Sequence, residues 1–268
     1  MMKYALMLPI MLAFGSCSNT TETNVVDSAI NVVETDSADY SDSTAAAEWP
    51  RVVFKTTAGN LTLALNPEQK EHTQNFLKLV KSKFYNGQLF HRVIKDFMVQ
   101  SGDPKSVNAS PSAMIGDGGP NYTVPSEIKP NLYHFKGALS AARQSDDVNP
   151  MKRSSGSQFF IVTGTLVDEL RMKQSMEAVA FENFKQDPAN RETILKGQAL
   201  DQSGNMAAMR ELETEVQAKM QPIIDELYAK MPSDVKQRYA NWGGAPSLDN
   251  NYTVFGKLVS GYNVLSAI

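Results

Sequence analysis

Residues 51–65 read RVVFKTTAGNLTLAL. The first six alternate in polarity, Ala58-Gly59-Asn60 supplies a turn signal, and residues 61–65 alternate again. Successive strand side chains point to opposite faces, so this pattern predicts a β-hairpin over Arg51–Thr56 and 61–65. Asn66-Pro67-Glu68 follows. Asn suits an N-cap, Pro fits the first helical turn, and Glu68 and Glu71 favour the positive end of a helix dipole. Phe76, Leu77 and Val80 give that helix an apolar face, and Asn86-Gly87 ends it. Further short strands are expected over 89–93, 97–101, 138–142, 158–163 and 252–259. Many short strands and few helices point to a mainly β fold, a barrel or a sandwich.

The chain has 268 residues, 42% hydrophobic and 21% charged, which suits a globular protein of one or two domains. A net charge of −3 gives no argument for a nucleic-acid partner. One cysteine excludes an intrachain disulfide. His72, His91 and His134 are scattered, and no His, Cys and carboxylate cluster has metal-ligand spacing, so no metal or cofactor is expected.

Residues 1–16 carry a basic start at Lys3, an apolar run and then Gly15-Ser16 ahead of Cys17, the pattern of a secretory signal too short to span a bilayer. The setting of Cys17 resembles a bacterial lipobox, which implies a lipidated Cys17, a membrane anchor and a cell-envelope location, facing the periplasm. The alternative is a plain signal peptide with a free thiol. Residues 17–49 are polar and acidic, and 18–48 contain no Lys or Arg. They read as a disordered tether, unable to bury enough apolar surface to offset ordering entropy.

Three segments stand out: FHRVI at 90–94 with DFMVQSGD at 96–103; GALSAA at 137–142 with GSQFFI at 156–161; and LDNNYTVFGK at 248–257. In order and local spacing they resemble the cyclophilin family of peptidyl-prolyl cis/trans isomerases, from about Arg51 to Val167 and again from about Gly244. The resemblance implies a mainly β, largely antiparallel eight-stranded-type barrel capped by helices. It puts the catalytic arginine on Arg92. Phe97, Met98, Gln100, Gln158, Phe160, Leu248 and Tyr252 fall on substrate-pocket positions, and Gly116 falls near a secondary subsite. A backbone-binding Ala-Asn pair falls on Ala142 and Arg143, so the asparagine is replaced. The implied partners are proline-containing unfolded or extended polypeptides. Ser247 stands where many eukaryotic relatives carry Trp, implying weak binding of cyclosporin.

These residue types suit that chemistry. The amide resonance barrier is about 18–20 kcal/mol, and no bond to a heavy atom breaks. The site needs only to bind the twisted amide better than either planar isomer. Arginine offers a permanently charged fork of donors for this. His91 reads as structural. Ser154, Ser155 and Ser157 have no placed histidine partner, which argues against a serine hydrolase. A non-catalytic peptide-binding or holdase role is the competing reading, and a purely structural lipoprotein is a third.

Two departures from the family stand out. Residues 168–243 form a helical insertion in which Met209, Leu212, Val216, Met220, Ile223, Leu227 and Met231 recur at three- and four-residue steps. This stripe is either internal packing or a client-binding arm. The family's last strand also has no counterpart before Ile268, so an open edge is expected beside the first strand.

Overall fold

The structure, a computed structural model, describes residues 31–35 and 49–268. The expected signal peptide, Cys17 and most of the expected tether lie outside the described residues. The described residues divide into a β unit, residues 31–35 and 49–167 with Arg238–Ile268, and a helical unit, Asp168–Gln237. The helical unit ends at Gln237, ahead of the 243 expected for the insertion.

The β unit opens with β1 (Asn31–Thr35), β2 (Arg51–Thr56) and β3 (Gly59–Leu65), followed by α1 (Lys70–Lys81). Next come β4 (Arg92–Ile94), β5 (Met98–Ser101), β6 (Thr123–Val124), β7 (Ala138–Ala141), β8 (Ser154–Ser155) and β9 (Phe159–Val162). Eight strands pair in the order β1-β2-β3-β10-β7-β9-β5-β4, where β10 is Val254–Ser260, and every pairing is antiparallel. β6 and β8 form a separate two-stranded ladder.

The edge of β2 expected to stand open is occupied by β1, which runs antiparallel to it from Asn31↔Lys55 to Thr35↔Arg51. So part of the expected tether is a strand. NVVET has no strand signature of its own, but an edge strand presents a row of unpaired N–H and C=O groups that an extended neighbour satisfies. α1 also departs from expectation. It begins at Lys70, because Asn66 spends its groups on a preceding turn: Oδ1 accepts the Glu68 N–H at 3.0 Å and the carbonyl oxygen accepts the Gln69 N–H at 3.1 Å. The strand expected over 89–93 is shorter and later, at Arg92–Ile94.

Ring contacts show that the sheet curls. Phe54 on β2 and Phe159 on β9 stand four places apart in the strand order. A flat sheet would separate them by about 19 Å; their ring centroids are 5.5 Å apart. Phe76 of α1 sits 5.4 Å from Phe159 and 5.3 Å from Phe255, which plugs the curl. Val52, Phe54, Leu61, Leu63, Tyr85, Val99, Leu139 and Ile161 complete this core, all of them at most 1% exposed. Among the described residues the ladder ends at β1 and β4, so the barrel is not closed by hydrogen bonds.

The helical unit comprises α2 (Glu169–Ser175), α3 (Glu177–Gln186), α4 (Arg191–Ser203), α5 (Met206–Lys230) and the start of α6 (Ser233–Trp242); a short α7 (Tyr262–Leu265) belongs to the β unit. α2, α3 and α4 all pack on α5. Met209, Leu212, Val216, Met220 and Ile224 of α5 meet Ala180 and Phe184 of α3 in a buried cluster. The stripe is therefore internal packing from Met209 to Met220 and continues through Ile224; Ile223 and Leu227 are only partly buried against it, and Met231 lies past the end of α5 and outside the cluster. No described helix is long and apolar enough to cross a membrane.

Candidate active site

The strand registers assemble the site. Arg92 pairs with Gln100, Gln100 with Phe160, Phe160 with Ser140, and Ser140 with Val254. One row thus crosses β4, β5, β9, β7 and β10. The period of two decides which face each neighbour takes. Val99, Phe159 and Ile161 enter the main core, while Met98, Phe160 and Val162 join a second apolar cluster with Val254, Phe97, Ala142, Leu248 and Tyr252 packed around it. That second cluster underlies a cavity of about 390 Å³ lined by Arg92, Phe97, Met98, Gln100, Gly116, Ala142, Arg143, Phe160, Leu248 and Tyr252, together with His91 and Ile115. Gln158 lines an adjoining cavity of about 460 Å³ that shares Gln100, Gly116, Ala142 and Arg143. The structure brings all these expected site residues together; Cys17 lies outside the described residues.

A directed chain of hydrogen bonds holds the guanidinium. Gln158 Nε2 donates to the carbonyl oxygens of Gly116 at 3.0 Å and Gly118 at 2.7 Å. Its amide is thereby oriented, leaving Oε1 to accept from Gln100 Nε2 at 2.9 Å. Gln100 is oriented in turn, and its Oε1 accepts from the Arg92 guanidinium at 3.2 Å. The far end of the chain is Asp103, 0% exposed, whose Oδ2 accepts the N–H groups of Gly116 at 2.6 Å and Gly118 at 3.0 Å. Only glycine fits at 118, where a Cβ would stand 2.0 Å from Asp103 Oδ1. Sequence reasoning missed Asp103 as a support of the site. Its place at the end of the Gln100–Asp103 motif was the available signal.

Arg143 turns toward protein as well as cavity. Its Nε donates to the Asn251 carbonyl oxygen at 2.7 Å, its Nη1 donates to the Gln144 carbonyl oxygen at 2.9 Å and to Asp146, and its guanidinium lies 4.6 Å over the Tyr252 ring. It builds the wall between the two cavities. His91, read from sequence as structural, lines the first cavity with both ring nitrogens buried and without hydrogen-bond partners. Burial pushes its pKa down, against the opposing charge of Asp103.

Ser154 does have a histidine partner, contrary to expectation. His72 Nε2 lies 2.9 Å from Ser154 Oγ, and His72 Nδ1 lies 2.6 Å from Glu127 Oε2. The order resembles a nucleophile relay, but Ser154 is 1% exposed and lines neither of the two cavities described above. Glu127 also accepts the backbone N–H groups of Glu71 and His72, capping the first turn of α1. This cluster is a tie between α1 and β8. Among the described residues no group of His, Cys, Asp and Glu is placed to hold a metal ion.

Residues 51–183 match the family described as cyclophilin type peptidyl-prolyl cis-trans isomerase. The chain is 28% identical over 219 residues to a Staphylococcus saprophyticus protein named as a peptidyl-prolyl cis-trans isomerase, covering 81% of this chain and 80% of that one. It is 30% identical over 222 residues to a Streptococcus pyogenes protein named as a bifunctional phosphatase/peptidyl-prolyl cis-trans isomerase, covering 82% of this chain but only 34% of that relative's length. A crystal structure of a Cryptosporidium parvum cyclophilin type isomerase aligns over 82% of this chain and 83% of its own, with 21% identity and a TM-score of 0.45. The chain belongs to the cyclophilin-type peptidyl-prolyl cis-trans isomerase family.

Proposed function

We propose that this cavity accelerates rotation about Xaa-Pro bonds in unfolded or extended polypeptides. The observation that carries the reading is the placement of Arg92, exposed at the rim of an apolar cavity and aimed by the oriented amides of Gln100 and Gln158. Phe97, Met98, Phe160 and Leu248 offer a socket for a proline ring. As the amide twists, its nitrogen becomes pyramidal and gains a lone pair that accepts a hydrogen bond. Arg92 donates there, or holds the carbonyl oxygen, and weakens resonance in either case. An acceleration of about 10⁵-fold requires about 7 kcal/mol. One charge-assisted hydrogen bond supplies about 1.5–3 kcal/mol. Excluding water from the socket supplies the remainder, while the ring contacts, alike in the planar and twisted states, supply binding.

The reading extends to an envelope protein with a lipid anchor on Cys17, facing the periplasm. Its support is the signal-like run of residues 1–16 and the small residues before Cys17. Ser247 supports weak cyclosporin binding. The test of the activity is a protease-coupled prolyl peptide assay on the wild type and Arg92→Ala. A fall in kcat/KM of about 10- to 150-fold is expected, matching the lost hydrogen bond. Equal rates would reject the catalytic role of Arg92, and rates no faster than the uncatalysed reaction in both would leave a peptide-binding or holdase role.

A further inference from the structure

Asp249 sits between Leu248 and Tyr252, two residues of the cavity wall, and its carboxylate is spoken for on both oxygens. Oδ1 accepts the His134 backbone N–H at 2.8 Å and stands 2.9 Å from His134 Nδ1. Oδ2 accepts the Tyr239 hydroxyl at 2.7 Å. His134 and Tyr239 are 0% exposed and Asp249 is 9% exposed. A carboxylate oxygen has no proton to give, so Nδ1 is the donor and the ring is held in one orientation. That orientation reaches the cavity. The His134 ring lies nearly parallel to Phe160, 14° apart with centroids at 6.1 Å, and meets Tyr252 edge-on at 6.3 Å. Phe160 and Tyr252 meet each other edge-on at 5.6 Å. The turn itself is tied to the same wall, since the Asn251 carbonyl oxygen accepts from Arg143 Nε.

Tyr239 is the outer support of this chain. Its ring packs on Phe135 at 4.6 Å, and its carbonyl oxygen accepts the Val167 N–H at 3.1 Å. It comes from α6, outside the residues 51–183 that match the family. We propose that Tyr239 is a positioning residue for isomerisation, its hydroxyl acting through Asp249 to set the Leu248–Tyr252 turn and the His134 ring against Phe160. The proposal rests on the isomerase reading of the cavity. Misplacing the wall weakens the grip on the proline ring in the planar and twisted states alike, so the effect falls on KM.

Tyr239→Phe keeps the ring against Phe135 and removes only the hydroxyl. KM for a prolyl tetrapeptide should rise about tenfold with kcat nearly unchanged, a smaller loss than the roughly 10²-fold that a 1 Å misplacement produces. Asp249→Leu should raise KM at least as much, and the double variant should be no worse than Asp249→Leu alone, because both act on one chain of contacts. A merely structural hydroxyl would lower the folded fraction, which reduces apparent kcat and leaves KM unchanged; that result, or an unaltered KM in Tyr239→Phe, would overturn the proposal. Amide chemical shifts give a readout independent of turnover. Tyr239→Phe should move the signals of Leu248, Tyr252 and Phe160 and leave those of α1 in place. A wild type without turnover would sink the isomerase reading, whereas unmoved shifts at those three residues would sink the positioning role.

Discussion

At the scale of single residues, the site is a problem in amide orientation. A glutamine side chain presents an acceptor on one side and two donors on the other, and nothing intrinsic decides which way it faces. Here the decision starts at Asp103. Its carboxylate organises the glycine loop, the loop's carbonyl oxygens turn Gln158, Gln158 turns Gln100, and Gln100 presents an oxygen to Arg92. Gln158→Leu keeps the bulk and deletes both roles of the amide. It should cost about tenfold in kcat/KM of prolyl isomerisation, since Gln100 can then flip and face Arg92 with its NH₂ group. A rate within twofold of wild type in the coupled assay would mean that Arg92 needs no such guide. The residue types here were legible in the sequence, because the segments that carry Arg92, Gln100 and Gln158 are contiguous and distinctive. The chain that links them was not, since it depends on a loop carbonyl at 118 meeting a side chain at 158. Tyr239 was invisible for the same reason: its partner Asp249 lies beyond the end of its helix.

At the scale of elements, register explains what local pattern cannot. Alternation located β2 and β3, and short apolar runs located β5, β7, β9 and β10 to within a few residues. It could not say that Arg92, Gln100 and Phe160 share one row, because cross-strand pairing is non-local. β1 shows the limit from the other side. Its five residues sit in a polar stretch without strand signals, and they are extended because β2 offers an edge. In an antiparallel pair, alternate N–H groups face the partner, so one of Val32→Pro and Val33→Pro must break a ladder bond. That variant should speed amide exchange along β2 and raise aggregation; two variants indistinguishable from wild type would argue that the edge does not depend on β1.

The tie between α1 and β8 carries a pH dependence. Burial lowers the His72 pKa below 6.5, with Glu127 offsetting part of the effect. The folded state therefore resists a proton that the unfolded chain accepts. Stability should be level above about pH 7 and fall as pH drops below 6.5, until the lowered folded pKa is passed. Burial pushes the Glu127 pKa up, but hydrogen bonds from the His72 ring and the two backbone N–H groups outweigh it and hold the net value below 4.5. A second loss therefore follows as pH falls through that lower range. His91, also lowered by burial, adds to the first window. Denaturant unfolding from pH 7 to 5 should show a slope reduced in His72→Gln by up to about 1.4 kcal/mol per pH unit. Identical slopes would show that His72 takes no part.

At the scale of the whole molecule, the chain is two cores with different logics. The β unit gathers its core from strands far apart in sequence, while the helical unit builds its own from α5 and the helices packed on it. The three- and four-residue spacing from Met209 to Met220 was plain in the sequence, but the next buried position is Ile224 and not the Ile223 read there. Spacing alone does not tell an internal seam from an exposed one, and Met220 at 1% exposure shows which it is. The central claim sits in the β unit: a cavity gripping a peptide bond best when it is half rotated, by way of Arg92. Exchange spectroscopy on an Ala-Pro-containing peptide with catalytic amounts of the full chain measures this without a coupling protease. The account predicts cis and trans resonances that exchange many times faster with the wild type than in free peptide, and much more slowly with Arg92→Ala than with the wild type. A peptide that binds in the cavity and flips no faster than free peptide would contradict it.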